Sequence, residues 1–500
     1  MSALFADQNV EIHRPQGVGD VDVCALVSDS RRVRPGCLFA ALAGTSQDGH
    51  THIYEATQHG ASAILCERSV QNIAVTQVLA ADTRLALAKA ARQFYDDPSR
   101  SLVMVGITGT NGKTTTAHLV EALLRGCKGA VGIIGTLGAR YDAPSGSVEV
   151  ATGLTTPDSI ALLGLLADMR QAGVQNAVME VSSHAIVQQR VAGVSYDVGV
   201  FTNLTHDHLD YHGTLEAYFA AKTRLLTERL KADGRAVLNL DDPWVASLVN
   251  HTSLRNRCVG FSSAGHASAV VVAEEIQSDA QGIRIRGRVH QEPFLLNSAL
   301  VGTFNVENLL AAISVGAACE IPLDKSVSAL ESVGAVSGRF ERVSGVTGPL
   351  VLVDYAHTPD ALQKALLAAR SLCTGNLLCV FGCGGDRDAD KRAPMGRAAA
   401  LADRVWLTND NPRSEDPAQI VRAVEMGLRD VPPSKGYEVI YDRREAIAAA
   451  LDFAADGDVV LIAGKGHESY QIIGNRTFHF DDRQEVRQLL AHRQATKEAE

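Results

Sequence analysis

The chain has 500 residues, 46% of them hydrophobic and 21% charged, with mean hydropathy near zero: an ordinary water-borne composition too long for one core. Its 47 basic and 57 acidic residues leave a net charge of −10, which excludes the basic footprint of a nucleic-acid binder. No apolar run approaches the roughly 20 residues a membrane helix needs, and the length predicts roughly three or four domains.

The start, MSALFADQNVEIHRPQ, has no basic segment leading into an apolar core, so it does not read as a secretory signal. Short β-like runs at 21–27, 37–42 and 63–66 and a helical stretch at 85–95 predict an α/β unit over 1–99. It closes at the breaker cluster Asp96-Asp97-Pro98-Ser99. A second unit, 100–337, opens with an apolar strand at 102–107, a glycine loop, and a helix whose Ala117, Val120, Leu123 and Leu124 share a face. Strands at 130–134, 176–181, 196–203 and 236–240 follow, with helices at 159–171 and 215–228, and this alternation predicts a parallel sheet covered by helices. The third unit, 338–500, alternates again. Strands at 350–354, 377–382, 404–408 and 459–463, with helices from 359 and after 391, predict a Rossmann-like doubly wound domain. Nine cysteines from Cys24 to Cys383 form no C-x-x-C pair and read as reduced, mostly buried thiols of a cytoplasmic protein.

The most specific local signal is Thr108-Gly109-Thr110-Asn111-Gly112-Lys113-Thr114, followed by Thr115. Glycines let backbone N–H groups close around phosphate oxygens, and the N-terminus of the next helix adds positive partial charge. Lys113 is expected to reach the terminal phosphates of ATP and the Thr114 hydroxyl to bind Mg²⁺. The full G-x-x-x-x-G-K-[ST] pattern is not met, because Ile107 stands at its first glycine; the strand–loop–helix context is nevertheless present.

Polar residues collect after the next two strands, in MEVSSHA and NLTHDHLDYHG. Of Glu180, His206, Asp207, His208, Asp210 and His212, the metal candidates are Glu180 and His208, each following an apolar strand at the ligand edge. His212, beside Gly213, reads as structural. Lys222 lies on a helix, where a lysine is ordinarily a solvated charge, and the residues alone give it no role. After strand 404–408 comes Asp410-Asn411-Pro412-Arg413, a turn carrying an acid, an amide and a guanidinium, with Glu415 and Asp416 placed to orient the arginine.

These stretches, together with GTFNVENLLAA (302–312), GRFE (338–341), DYAHTPDAL (354–362), GCGGDRDADKR (382–392), DNPR (410–413) and GKGHE (464–468), span nearly the whole chain. It resembles the Mur ligases, the ATP-dependent amide-forming enzymes of bacterial cell-wall synthesis, and among them the diaminopimelate-adding members. The resemblance implies a uridine-nucleotide domain over 1–99, a central ATP-binding domain over 100–337 and a C-terminal amino-acid-binding domain over 338–500. It implies that Leu26, Ser28, Thr45, Ser46 and Gln47 contact the uridine nucleotide. Thr155, Thr156, Ser182, Gln188 and Arg190 would contact the muramoyl-peptide portion. Gly109 to Thr115, with Asn305 and His357, would hold ATP. Arg387, Asp410, Asn411, Pro412, Arg413, Gly464 and Glu468 would hold diaminopimelate. Lys113, Glu180, His208 and Lys222 would be catalytic. Lys222 matches a lysine that relatives carbamylate, and its carbamate would join Thr114, Glu180 and His208 around Mg²⁺. The implied substrates are UDP-MurNAc-L-Ala-D-Glu, meso-2,6-diaminopimelate and ATP. Neither nucleic-acid binding nor membrane insertion is implied, and a cytoplasmic monomer is expected.

Three other readings stay open on the residues. A lysine-adding ligase of the same family would generally lack Arg413, whose fork suits the second carboxylate of diaminopimelate. Folylpolyglutamate synthetase shares the phosphate loop but fits DNPR and the N-terminal domain less well. A nucleotide-binding protein that has lost catalysis would be expected to lose part of the set Lys113, Glu180, His208 and Lys222.

Overall fold

In a computed structural model that describes residues 1–44, 47–344 and 348–499, with side chains to 493, the chain builds three principal sheets. Thr45 and Ser46 lie outside the described residues. The N-terminal sheet runs Glu11–His13, Thr76–Leu79, Ala63–Cys66, Cys37–Ala40, Ala25–Val27, parallel except for its first strand. The expected strand at 21–27 shortens to Ala25–Val27, because the Val21 carbonyl accepts from the N-terminal ammonium (2.8 Å). Helix Thr83–Phe94 is capped by Asp82, whose carboxylate accepts from Leu85 N, and packs through Ala86, Leu87, Ala90 and Ala91.

Strand Val103–Thr108 sits inside the central sheet, parallel to Asn176–Glu180 on one side and Tyr196–Phe201 on the other. Its residues from Met104 onward are buried on both faces, as strands covered by helices must be. The sheet has eleven strands and is mixed, where a purely parallel one was expected. Antiparallel hairpins extend it: Gly138–Ala143 with Gly146–Val150 at one edge, and Val271–Asp279, Gly282–Val289 and Glu292–Ser298 at the other. In Gly282–Val289 the buried Ile283 and Ile285 alternate with exposed Arg284 and Arg286, the pattern of a sheet wet on one face.

The C-terminal sheet is ordered Glu341–Arg342, Leu350–Asp354, Val459–Ala463, Leu377–Phe381, Arg404–Leu407, Tyr437–Val439, with only the first strand antiparallel. The loops after 354, 381, 407 and 463 therefore leave the same edge, where open α/β sheets bind ligands. Helix Asp482–Ala499 is pinned to this edge by a fully buried ion pair. Arg443 Nε donates to Asp482 Oδ1 (2.7 Å) and Arg443 Nη2 to the Ala463 carbonyl (3.0 Å).

Candidate active site

The phosphate loop connects Val103–Thr108 to helix Lys113–Lys128, whose N-cap Gly112 has φ +84°. A side chain at Gly112 would meet Asn308 Oδ1, and one at Gly109 would collide with Thr202 Oγ1; only glycine fits either place. The buried Thr202 hydroxyl braces the loop by donating to the Asn111 carbonyl (2.6 Å). Lys113 folds back over the loop, its Nζ donating to the carbonyls of Gly109 (2.9 Å) and Thr110 (2.8 Å). Thr110, Thr114 and Thr115 are buried.

Glu180 ends its strand beneath this loop. Its Oε2 accepts from Thr114 Oγ1 (3.0 Å) and Thr136 Oγ1 (3.1 Å), and its Oε1 from Thr136 N (2.9 Å). Lys222 is only 1% exposed, contrary to the ordinary expectation for a helical lysine. Its Nζ donates to the Gly109 carbonyl (2.8 Å) and lies 4.5 Å from the centroid of the Tyr218 ring. Burial, reinforced by repulsion from Lys113, holds its ammonium well below the usual lysine range, so the site favours the neutral amine.

His208, with φ +54°, packs edge-on against His184 (4.8 Å) and lies 3.4 Å from the Asp207 carboxylate. Burial and its His208 and His212 neighbours push His184 down to about 4. His212 lies 2.9 Å from Ser183 Oγ. Thr114 and Glu180 are in direct contact, and among the described residues no group of three or more His, Cys, Asp or Glu side chains forms a metal cage. Oxygen donors that leave room for phosphates and water suit Mg²⁺, which rarely takes an all-protein cage.

The residues expected at the muramoyl peptide gather beside Glu180. Thr155 Oγ1 lies 3.1 Å from Thr136 Oγ1, and Thr156 Oγ1 donates to the Glu180 carbonyl (2.9 Å). Ser182 N donates to Thr156 Oγ1 (3.1 Å). Arg190 donates to the Thr156 carbonyl (2.9 Å) and to Gln188 Oε1 (2.7 Å). Leu26 is buried in the N-terminal sheet, whereas Ser28 and Gln47 are exposed. Asn305 is also buried and accepts from Asn308 Nδ2 (2.8 Å) behind the phosphate-loop helix, and His357 folds onto its own loop at the Tyr355 carbonyl.

In the C-terminal unit, Arg413 has φ +53° and is tied to the hairpin Tyr470–Ile473/Arg476–His479 by Arg413 N to the Ile472 carbonyl (3.1 Å) and Gly474 N to the Arg413 carbonyl (2.7 Å). A left-handed arginine is uncommon and needs such bracing. Its Nη1 donates to the Gly385 carbonyl (2.8 Å). The acids behind the turn do not hold it: Glu415 pairs with Arg392 (2.8 Å), and Asp416 caps helix Pro417–Asp430. A backbone carbonyl takes the role expected of a carboxylate. Pro412 is buried, Arg387 is exposed, Asn411 Nδ2 donates to Glu468 Oε2 (2.9 Å), and a side chain at Gly464 would meet Asp410 Oδ2.

Three residues outside the expected set join this architecture. Arg339, in the quoted GRFE stretch, donates to Thr114 Oγ1 (2.8 Å) and stacks on Tyr355. Asp360 accepts from Asn111 Nδ2 (3.0 Å) and Thr205 Oγ1 (2.9 Å), tying the C-terminal unit to the phosphate loop. Lys465 is completely buried. Their only sequence signal was membership in matched stretches.

His467, in the same junction, is pushed down to about 3 by burial and by the cations Arg339 and Arg483, from an ordinary 6.5. The unfolded imidazole takes a proton below 6.5 while the folded one stays neutral to about 3, so acid favours the unfolded chain across that window. The melting temperature should therefore fall between pH 7 and 5, and His467→Asn should flatten part of that fall in a calorimetric pH series; an unchanged slope would contradict the assignment.

Family models match three consecutive stretches: the Mur ligase family catalytic domain at 23–107, the Mur ligase middle domain at 107–316, and the Mur ligase glutamate ligase domain at 338–466. A UDP-N-acetylmuramoyl-L-alanyl-D-glutamate–2,6-diaminopimelate ligase from Synechococcus elongatus is 43% identical over 99% of both chains. One of the same name from Gloeobacter violaceus is 44% identical over 95% of both. A solved structure of a ligase of that name is 34% identical, covers 94% of this chain and 95% of its own, and superposes with a TM-score of 0.67. Matched by three family models along its length and by full-length relatives at 43% and 44% identity, the chain belongs to the Mur ligase family.

Proposed function

We propose that this chain uses ATP to join meso-2,6-diaminopimelate to the D-glutamyl side-chain carboxylate of UDP-MurNAc-L-Ala-D-Glu, a step in peptidoglycan precursor synthesis. The observation that carries this reading is the left-handed, hairpin-braced Arg413 two residues from Asn411, whose Nδ2 holds Glu468, on a chain whose full-length relatives are named for that reaction. A guanidinium and a carboxylate together match the far end of diaminopimelate, an amino group and a carboxylate on one carbon. Lysine lacks that carboxylate.

A carboxylate is a poor electrophile and must be activated. Its oxygen attacks the γ-phosphorus, ADP leaves, and an acyl phosphate forms. The neutral amine of diaminopimelate then adds to the acyl carbon, and the tetrahedral intermediate gives up its nitrogen proton and expels phosphate to leave the amide. Lys113, the loop amides and Arg339, grouped at the phosphate loop, are proposed to hold the anionic charge that accumulates on the transferred phosphoryl group. Thr155, Thr156, Ser182, Gln188 and Arg190 are proposed to orient the muramoyl peptide, and Leu26, Ser28 and Gln47 the uridine nucleotide. Asn305 and His357 are proposed at the adenosine end of ATP.

Mg²⁺ is proposed at Thr114 and Glu180, with His208 and the carbamate of Lys222 completing the protein's contribution. There it would offset phosphate charge. A neutral Lys222 amine is the form that adds to CO2, forming an N–C bond, releasing one proton and turning a repelled cation into an oxygen donor. No described helix is long and apolar enough to cross a membrane, and a cytoplasmic monomer acting on small molecules is proposed.

Phosphate release with UDP-MurNAc-L-Ala-D-Glu should require diaminopimelate and be poorly supported by lysine; equal turnover with both would sink the assignment. Arg413→Ala should raise KM for diaminopimelate by about 10- to 100-fold, the worth of a charge-assisted hydrogen bond, and leave KM for ATP near wild type. Equal effects on both would remove Arg413 from the amino-acid pocket.

A further inference from the structure

Lys465 is sealed from solvent between the two loops proposed to hold the amino acid. Its side chain is 0% exposed. Its Nζ is 3.2 Å from Glu468 Oε2, 3.5 Å from Asn411 Oδ1 and 3.6 Å from Asp410 Oδ1, and it lies 5.4 Å from the Tyr470 ring centroid. These partners come from two loops separated by more than fifty residues, 410–413 and 464–470. A lysine ammonium is sealed from water only where its environment replaces hydration, and here two carboxylates, an amide oxygen and an aromatic face do so.

The geometry points to Lys465 as the positioning residue that sets this ligase's preference for the amino-acid substrate, by holding Glu468 and Asn411 from behind. The inference rests on the placement of Glu468 in the amino-acid pocket. Glu468 Oε2 is already taken, by Lys465 and by Asn411 Nδ2 (2.9 Å). Its other oxygen, Oε1, accepts only from the Tyr470 hydroxyl (3.4 Å) among the described residues, and is the oxygen left for an incoming ammonium. Asn411 is engaged on both ends: Oδ1 accepts from Ile472 N (2.9 Å) and Lys465, while Nδ2 donates to Asp410 Oδ1 (3.1 Å) and Glu468. Asn411 is thus a strut between the loops. The groups proposed to read the substrate are Glu468 Oε1 and Arg413, and Lys465 links the loops that carry them by contacting Glu468 and Asn411. Without its charge, Asp410 and Glu468 repel, and Glu468 swings away from the position that matches an amino group and a carboxylate on one carbon.

The test compares Lys465→Met, Lys465→Arg and Glu468→Gln with the wild type by phosphate release, varying diaminopimelate, lysine and ATP separately, with melting curves for each. The expected result for Lys465→Met is a rise of about tenfold or more in KM for diaminopimelate, from the loss of a charge-assisted contact that orders Glu468. The preference for diaminopimelate over lysine should shrink by a similar factor, KM for ATP should hold, and Lys465→Arg should recover part of the loss. A merely structural lysine would instead lower kcat and the melting temperature together and leave the substrate preference intact, which overturns the inference. Should Lys465→Met unfold, the same preference measured on Lys465→Gln, which keeps a polar side chain without the charge, decides it: an unchanged preference overturns the inference. If Glu468→Gln leaves KM for diaminopimelate unchanged, the pocket assignment itself fails. If Glu468→Gln raises that KM while Lys465→Met does not, only the role of Lys465 fails.

Discussion

Lys222→Ala should lower ligase turnover by about a hundredfold or more, the scale of losing one preorganised charge partner at a reacting phosphate, and short carboxylic acids should restore part of it. The physical basis is its setting. Lys222 is 1% exposed, donates to the Gly109 carbonyl, and is held well below the usual lysine range by burial and by repulsion from Lys113, the setting on which the proposed carbamate rests. Alanine removes the buried side chain, and formate, acetate or propionate entering the space it leaves would supply a carboxylate in place of the proposed carbamate. The measurement is phosphate release with and without added acid. Wild-type turnover in the variant would remove the carbamate from the mechanism, and a loss that no short acid relieves would reduce Lys222 to a structural brace.

Lys113→Ala should abolish substrate-dependent ADP formation, with a loss of about a hundred- to a thousandfold before any effect on amino-acid binding. Lys113 closes the phosphate loop by bonding the carbonyls of Gly109 and Thr110, and it is the loop cation nearest the Glu180 and Asp207 charges. ADP release measured in the absence of the amino acid isolates the first half-reaction. An unchanged rate there would show that the loop amides and Arg339 suffice, and would refute the role given to Lys113.

Much of the architecture was legible because it is local. The strand Leu350–Asp354, the helix Ser159–Gln171 and the strand Val459–Ala463 fall at the expected residues, since buried parallel strands and capped helices announce themselves over a few positions. The hairpins at 271–298 were not read. Their alternation of Ile283 and Ile285 with Arg284 and Arg286 marks a strand, but nothing local says it extends a sheet whose core lies 180 residues upstream. The solvated-lysine expectation for Lys222 failed for a related reason. The helix Leu215–Glu228 packs that face against the phosphate loop, and only the packed chain removes the charge from water. Glu415 and Asp416 illustrate the converse: adjacency suggested that they hold Arg413, yet Glu415 holds Arg392 and Asp416 caps a helix.

By itself the sequence determined the phosphate loop, the alternating α/β order and the family. Those follow from contiguous residues whose backbone angles and periodicity are set by their neighbours. Tertiary structure alone decided which groups are charged, which are sealed from water and which face one another. Arg339 against Thr114, Asp360 against Asn111, and Lys465 among Asp410, Asn411 and Glu468 each join residues remote in the chain. Electrostatic strength depends on distance and on exclusion of water, and neither is encoded in any single stretch.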